Sequence, residues 1–99
     1  MIIVTGALRI APEKMQQARE PMRALIAASR REAGCLLYAW GEDVLDPGLI
    51  RMIEHWRDWP SFVSHDHSPH AATWKAALET IGLLDREMSA HDATNERRL

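Results

Sequence analysis

The spacing of apolar side chains along this chain switches between the alternation of a strand and the periodicity of a helix. Residues 2–10 are rich in isoleucine and valine and predict a first strand. Apolar residues then recur at intervals of three and four, starting with Met15, which predicts a helix. Pro12 fits the first turn of that helix, and Gly34 is expected to end it through a left-handed cap.

A hairpin is predicted in the middle of the chain. Apolar residues occupy both alternating sets of positions over residues 35–46, which predicts a second strand. A third strand is expected over residues 49–57. The sequence Asp46-Pro47-Gly48 between them is typical of a turn. Because side chains alternate across a strand, Tyr38 and Trp40 should share one face of the sheet. The sequence leaves open whether that face lies under the helices or on the outside.

Two helices and a last strand are predicted in the remainder. Asp58 and Ser68 each precede a proline-containing helix start and are expected to act as N-caps. Gly82 should close the second of these helices, and residues 83–91 should form the final strand. Residues 92–99 are polar and predict a C-terminal tail.

This order, β-α-β-β-α-β, predicts an α+β ferredoxin-like fold, with an antiparallel sheet and helices on one of its faces. The expected domain organisation is a single domain over residues 1–91, followed by the tail. Strands that are apolar on both sides would leave one sheet face bare in a monomer. A homodimer, in which a second copy covers that face, is therefore expected.

Composition and charge exclude several functional classes. The chain has 99 residues, 46% of them hydrophobic, and a formal net charge of −2. These values fit an ordinary globular protein and give no basic footprint for nucleic acid or for a membrane surface. The apolar N-terminus has no basic leader, and we expect a cytoplasmic protein. No dinucleotide-binding, phosphate-loop or nucleophile-elbow motif is present, so no cofactor is expected.

The segment from residue 54 to residue 74 has the most unusual composition. It gathers three of the four tryptophans and four of the five histidines into 21 of the 99 residues. Such side chains combine flat apolar surfaces with polar tips, and they commonly line ligand cavities. The alternative is that the tryptophans are core residues and the histidines lie on a surface turn.

Four short motifs occur in a characteristic order. Two are the segment from Ile10 to Lys14 and the segment from Glu32 to Tyr38, and a third is the turn at Asp46-Pro47. The fourth and most specific is Glu54-x-Trp56 with the residues that follow it, Phe62, His65, Ser68, Pro69 and His70. Together these motifs resemble the antibiotic biosynthesis monooxygenase domain family, whose members are dimeric α+β barrels.

This resemblance implies oxygenation of a small aromatic quinol or phenol with O2 and without metal or organic cofactor. The same fold also hosts isomerases and binding modules, so a small-molecule binding or isomerase function without oxygen chemistry is the alternative. A structural dimer with a vestigial pocket is a third possibility. The haem-degrading branch uses asparagine, tryptophan and histidine at positions held here by Gly6, His65 and Trp74. The resemblance therefore disfavours haem degradation.

Three residues are candidates for catalysis. His65 is expected at the end of the short helix, where an imidazole could accept a substrate proton; the alternative is a helix cap. His70 lies one turn before Trp74 and would either donate a hydrogen bond to substrate or contact the solvent edge. Glu54 alternates with apolar residues, so it should be half-buried. It would then pair with an arginine, with Arg9, Arg51 and Arg57 as candidates, or have a raised pKa.

A second set of residues is assigned to substrate binding. It comprises the aromatic residues of the strands and helices, Trp74, Trp56, Tyr38, Trp40 and Phe62. Trp56 is expected to be core first and cavity wall second. A metal site would need His65, His67 and His70 to converge across a helix end and a new helix start. Convergence of all three is not expected, and no metal is predicted.

Overall fold

The computed structural model covers residues 1–99 and contains one antiparallel four-stranded sheet packed against helices. Its strands are β1 (Ile2–Ile10), β2 (Cys35–Glu42), β3 (Leu49–Trp56) and β4 (Leu83–Asp92). The helices are a short 3-10 turn (Pro12–Lys14), α1 (Met15–Arg30), α2 (Trp59–Asp66) and α3 (Pro69–Ile81). The strand order β2-β3-β1-β4 is that of the ferredoxin-like fold, which confirms the predicted architecture.

The register of β3 decides which residues lie under the helices. Its even-numbered residues from Ile50 to Trp56 are buried, while Arg51 and Ile53 face outward. Tyr38 pairs with Glu54 across the β2–β3 ladder, so it lies on the buried face. Trp40 follows two residues later on the same face. The helix-covered face is therefore the one that carries the aromatic side chains.

Local sequence signals fix the helix ends near the site. The Asp58 carboxylate accepts a hydrogen bond from the Ser61 backbone N–H at 2.9 Å, and the Ser68 hydroxyl accepts one from the Ala71 N–H at 3.2 Å. Both predicted N-caps are confirmed. Gly82 ends α3 with a φ of 100°, a left-handed conformation that glycine adopts without steric cost.

Two boundaries differ from the sequence-based prediction. Helix α1 ends at Arg30 and is capped in a right-handed conformation by Arg31, so the left-handed cap predicted at Gly34 is wrong. Gly34 has a different role, because a side chain there would overlap the Ser61 side chain of α2. Strand β2 ends at Glu42, four residues earlier than expected. Val44, expected within the strand, is almost fully exposed in the loop.

The outer face of the sheet carries apolar side chains that the helices do not cover. Leu37 and Ile53 are exposed there, on neighbouring strands.

At the opposite edge of the sheet, β4 extends through Asp92, the first residue of the predicted tail, and the residues beyond it form no helix or strand. None of the helices combines the length and apolar character needed to cross a membrane.

Candidate functional site

A cleft of about 800 Å³ lies between the helix-covered face of the sheet and the helices. Twelve of its 18 lining residues are hydrophobic, and charged groups such as Lys75 and Arg86 also contribute. Six of the eight predicted site residues line it: Tyr38, Trp40, Glu54, Phe62, His65 and Trp74. Two strands and two helices that are far apart in sequence therefore supply one apolar cavity with a few polar groups, the usual form of a small-molecule site.

Aromatic rings form a continuous wall of this cleft. Tyr38 and Trp40 stack with ring centroids 5.8 Å apart and an interplanar angle of 19°. Trp74 meets Trp40 edge-on, with centroids 5.4 Å apart. Trp56 is fully buried and does not line the cleft; it lies behind the wall with its ring centroid 4.6 Å from that of His65. Trp56 therefore supports the site from the core, while Tyr38, Trp40 and Trp74 present their rings to it.

His65 is held by a carboxylate. It lies in the last turn of α2, is only 7% exposed, and its Nδ1 lies 2.9 Å from Glu32 Oε2. Glu32 belongs to the loop between α1 and β2, 33 residues earlier in the chain. If Nδ1 carries the ring proton and donates a hydrogen bond to the carboxylate, Nε2 is left as the acceptor nitrogen. No protein hydrogen bond engages Nε2.

The surroundings of His65 favour its neutral form. Burial lowers the pKa of the imidazole below its ordinary value of 6.5, although the negative charge of Glu32 acts in the opposite direction. The ring is therefore largely uncharged at neutral pH. A neutral imidazole with one nitrogen anchored and the other unengaged can act as a proton acceptor.

Glu54 is buried without a positive partner, so the expected ion pair with an arginine is wrong. Its side chain is 2% exposed, and its Oε1 accepts a hydrogen bond from the Trp56 indole N–H at 3.0 Å. Burial raises the pKa of this carboxyl group to about 7, with Asp66 and Glu32 adding to the effect. Glu54 therefore holds a proton to much higher pH than a surface carboxylate does.

The arginines expected near Glu54 are engaged elsewhere. Period-two alternation along β3 places Arg51 on the opposite face from Glu54, and the same holds for Arg9 on β1. All three candidate arginines pair with aspartates instead: Arg9 with Asp46, Arg51 with Asp43 and Arg57 with Asp58. The strand pleat thus leaves the Glu54 carboxyl group without a counter-charge.

Trp40 contributes an unsatisfied donor to the cleft. Its indole N–H is buried and has no hydrogen-bond partner, although it lies close enough to Glu54 to favour the ionised carboxylate. Buried N–H groups are nearly always paired in native proteins. An oxygen atom of a bound molecule would satisfy this donor, since Trp40 lines the cleft.

His70 and His67 have different surroundings. His70 opens α3 outside the cleft lining, is half-buried, and its Nε2 lies 3.0 Å from Glu32 Oε1. The Nδ1 atom of His67 instead lies 2.9 Å from the Val63 carbonyl oxygen on the exposed side of α2. Glu32, His65 and His70 each offer one donor atom, and the three atoms lie within 4.8 Å of one another, so these residues could hold a metal ion.

Glu32 is the site residue that the sequence did not single out. It occurs in the motif from Glu32 to Tyr38, but nothing local to that motif connects it with His65. Its side chain spans both histidines only because the α1–β2 loop packs against the junction of α2 and α3.

Comparison with known proteins places this chain in a family. The family model for antibiotic biosynthesis monooxygenases matches residues 1–77 of this chain. YcnE of Bacillus subtilis, named provisionally as a monooxygenase, is 27% identical over 70 residues, which are 71% of this chain and 74% of YcnE. The uncharacterised protein sll1783 of Synechocystis is 28% identical over 69 residues, 70% of this chain, but the match spans about half (47%) of its own length.

A solved structure from Deinococcus radiodurans, provisionally assigned as an antibiotic biosynthesis monooxygenase, has the same fold. It superposes with a TM-score of 0.92 over 100% of this chain and 98% of its own, at 28% sequence identity. The family model covers both strands of the hairpin, α2 and most of α3, and so includes the three side chains His65, Glu54 and Trp74. The chain belongs to the antibiotic biosynthesis monooxygenase family.

Proposed function

We propose that this protein oxidises a small aromatic hydroquinone or phenol with O2, without metal or organic cofactor. For a hydroquinone, one oxygen atom enters the ring and the other leaves as water, so the product is a hydroxyquinone. The substrate itself supplies all the electrons that reduce O2. The observation that carries the proposal is the buried imidazole of His65, whose Nδ1 lies 2.9 Å from Glu32, in the wall of an aromatic cleft.

His65 is assigned the first step. Its Nε2 accepts the proton of a substrate hydroxyl, and the resulting phenolate is electron-rich enough to reduce O2. Glu32 fixes the tautomer through Nδ1 and stabilises the imidazolium that forms, as the carboxylate does in other histidine–carboxylate pairs. The base therefore needs Glu32 both for its orientation and for its charge balance.

Trp40 and Glu54 are assigned to the oxygen atoms of the substrate and of reduced O2. The unpaired Trp40 N–H would donate to a substrate oxygen as negative charge develops on it. Glu54, whose pKa is about 7, is partly protonated at neutral pH and can return a proton to the leaving oxygen. Two groups whose pKa values are shifted in opposite directions on one cavity provide an acid and a base.

His70 and the aromatic walls complete the assignment. Trp74, Trp40 and Tyr38 offer flat surfaces for stacking on an aromatic ring, and Phe62 narrows the same cleft. His70 does not reach the cleft lining and is assigned no contact with substrate; its Nε2 faces Glu32 Oε1 at 3.0 Å instead. A cleft of about 800 Å³ is within the range of drug-sized ligand sites, and an apolar wall keeps water from a reactive intermediate.

O2 uptake tests this proposal. Metal-stripped protein would be assayed with naphthohydroquinones, benzenediols and anthrones against the autoxidation background. We expect uptake above background, reduced roughly 100-fold or more in His65→Ala, the scale of a lost general base. His67→Ala is the matched control, because His67 lies two residues away, at the exposed C-cap of the same helix. Unchanged turnover in His65→Ala would refute the assignment of the base.

The same acid and base favour one alternative. A neutral His65 and a protonated Glu54 on one cavity could move a proton between two atoms of a substrate, as an isomerase requires. Such a protein would bind members of the panel and change its tryptophan fluorescence without consuming O2. That result would favour the isomerase or binding module over the oxygenase.

The outer sheet face supports a homodimer as part of this proposal. Leu37 and Ile53 leave apolar surface uncovered on adjacent strands, which a second copy would bury sheet against sheet. Light scattering after gel filtration should give twice the chain mass, and Ile53→Lys should shift it towards the monomer. A wild-type monomer at all concentrations would contradict the dimer.

A further inference from the structure

The three side chains Glu32, His65 and His70 converge from separate parts of the chain. Glu32 comes from the α1–β2 loop, His65 from the end of α2 and His70 from the start of α3. One carboxylate oxygen faces each histidine, at 2.9 Å for Oε2 to His65 Nδ1 and 3.0 Å for Oε1 to His70 Nε2. One donor atom from each residue lies within 4.8 Å of the others.

This cluster is incomplete in its hydrogen bonding. His70 Nε2 is buried, and although it lies 3.0 Å from Glu32 Oε1 the two atoms are not aligned for a hydrogen bond. A buried polar atom without a partner indicates that something else engages it. A positive ion among the three side chains would supply a partner to His70 Nε2 and to both carboxylate oxygens.

The donor set indicates the kind of ion. Two imidazole nitrogens and one carboxylate suit zinc and the neighbouring divalent transition metals, which bind such atoms at about 2.0–2.2 Å. Calcium and magnesium prefer oxygen ligands throughout, so two histidines disfavour them. Donor atoms already within 4.8 Å of one another need only small side-chain movements to reach a common ion.

We propose that Glu32, His65 and His70 bind one divalent transition-metal ion of the zinc type, and that this ion switches off His65 as a base. His65 faces Glu32 with Nδ1, so Nδ1 is the nitrogen that would bind the ion. Its proton then moves to Nε2, with no net gain or loss of protons. Nε2 thereby loses the lone pair that would accept a substrate proton.

The second half of this proposal rests on the proposed function, whereas the first does not. Metal binding needs only the three side chains and can be measured without substrate. The change of tautomer can also be followed without turnover, because the nitrogen chemical shifts of the His65 ring report which nitrogen carries the proton. Zinc is diamagnetic and leaves these signals observable.

Titration of metal-free protein with Zn²⁺, and with Co²⁺ for its visible absorbance, tests the site. We expect one ion per chain and a loss of affinity of roughly tenfold or more in both His70→Ala and Glu32→Gln. Even the loss of a residue that only hydrogen-bonds to a metal ligand lowers metal affinity by that much. His67→Ala should bind as the wild type does, because His67 lies outside the cluster. Circular dichroism of each variant checks that it is folded.

Any of four results would overturn the proposal. Absence of stoichiometric binding, or equal affinity in wild type, His70→Ala and Glu32→Gln, would refute the site. A bound ion that leaves the Nε2 signal of His65 unprotonated would refute the switch, whatever the turnover. If the metal-free protein consumes O2, saturating Zn²⁺ must abolish uptake in the wild type, and full activity of the zinc-bound protein would again refute the switch.

Discussion

The buried carboxyl group of Glu54 should make the stability of this protein depend on pH in a way that one substitution removes. In the native state its pKa is about 7, against an ordinary value of 4.5, and it accepts a hydrogen bond from the Trp56 indole. Glu54→Gln keeps an amide oxygen that can accept this bond but cannot ionise. The variant therefore isolates the free-energy cost of placing a negative charge on the sheet beneath the helices.

The magnitude follows from the two pKa values. Between pH 4.5 and about 7 the unfolded chain has lost the Glu54 proton while the native state still holds it. The free energy of unfolding therefore falls as pH rises through this window, by about 1.4 kcal/mol per pH unit for one proton. The loss totals about 3 kcal/mol and is complete above the native pKa. Glu54→Gln should become more stable relative to wild type by this amount.

The assay is urea unfolding of both proteins, followed by tryptophan fluorescence from pH 4.5 to above pH 7 at one protein concentration. The difference between the two curves is diagnostic, because His65 contributes to wild-type stability in the opposite sense. Because the pKa of His65 is lower in the native state, the unfolded chain takes up a proton on this residue at a higher pH than the native protein does. The free energy of unfolding therefore falls as pH drops through 6.5. Glu87→Gln, on an exposed position of β4, is the control, and its free energy of unfolding should differ from that of wild type by an amount that does not change with pH. A difference independent of pH for Glu54→Gln would show that Glu54 is ionised in the native protein.

Three further predictions address the base, the loop and the second helix start. Turnover should decline as pH falls through a value below 6.5, because the lowered pKa of His65 keeps the base neutral until then; a pH–rate profile whose acid limb has its midpoint above pH 6.5 would contradict it. Gly34→Ala should lower the free energy of unfolding by about 1–3 kcal/mol, since the new methyl group would overlap Ser61, and urea unfolding should show this loss partly relieved when Ser61 is also changed to glycine. Ser68→Ala should cost about 1 kcal/mol through loss of the α3 cap, while Ser68→Thr should retain most of it; equal stability of both variants would argue against the cap.

Sequence pattern was enough for the fold because the signals involved are local. Alternation and three-to-four spacing report burial over a few residues, and an N-cap such as Asp58 acts within its own first turn. The same locality explains the errors. Gly34 is suited to a left-handed cap, but the need for glycine there comes from the close approach of α2, which no neighbouring residue reveals.

The site was only partly predictable for the same reason. The amino-acid sequence by itself determined that His65 ends a short helix, that Trp74 follows on the next one, and that Glu54 shares a strand face with Trp56. These placements depend on periodicity and capping within single elements. They give each side chain its direction but not its partners.

Tertiary structure alone decided the chemistry of these groups. It brought Glu32 to His65 from 33 positions away, and it left the Glu54 carboxyl group buried without a positive charge. Pairing and pKa depend on which distant elements pack together and on how much water they exclude, because electrostatic interactions are set by distance in space and by burial. The sequence determined which side chains share a face, and packing determined which face borders the cleft and which of its groups can hold or release a proton.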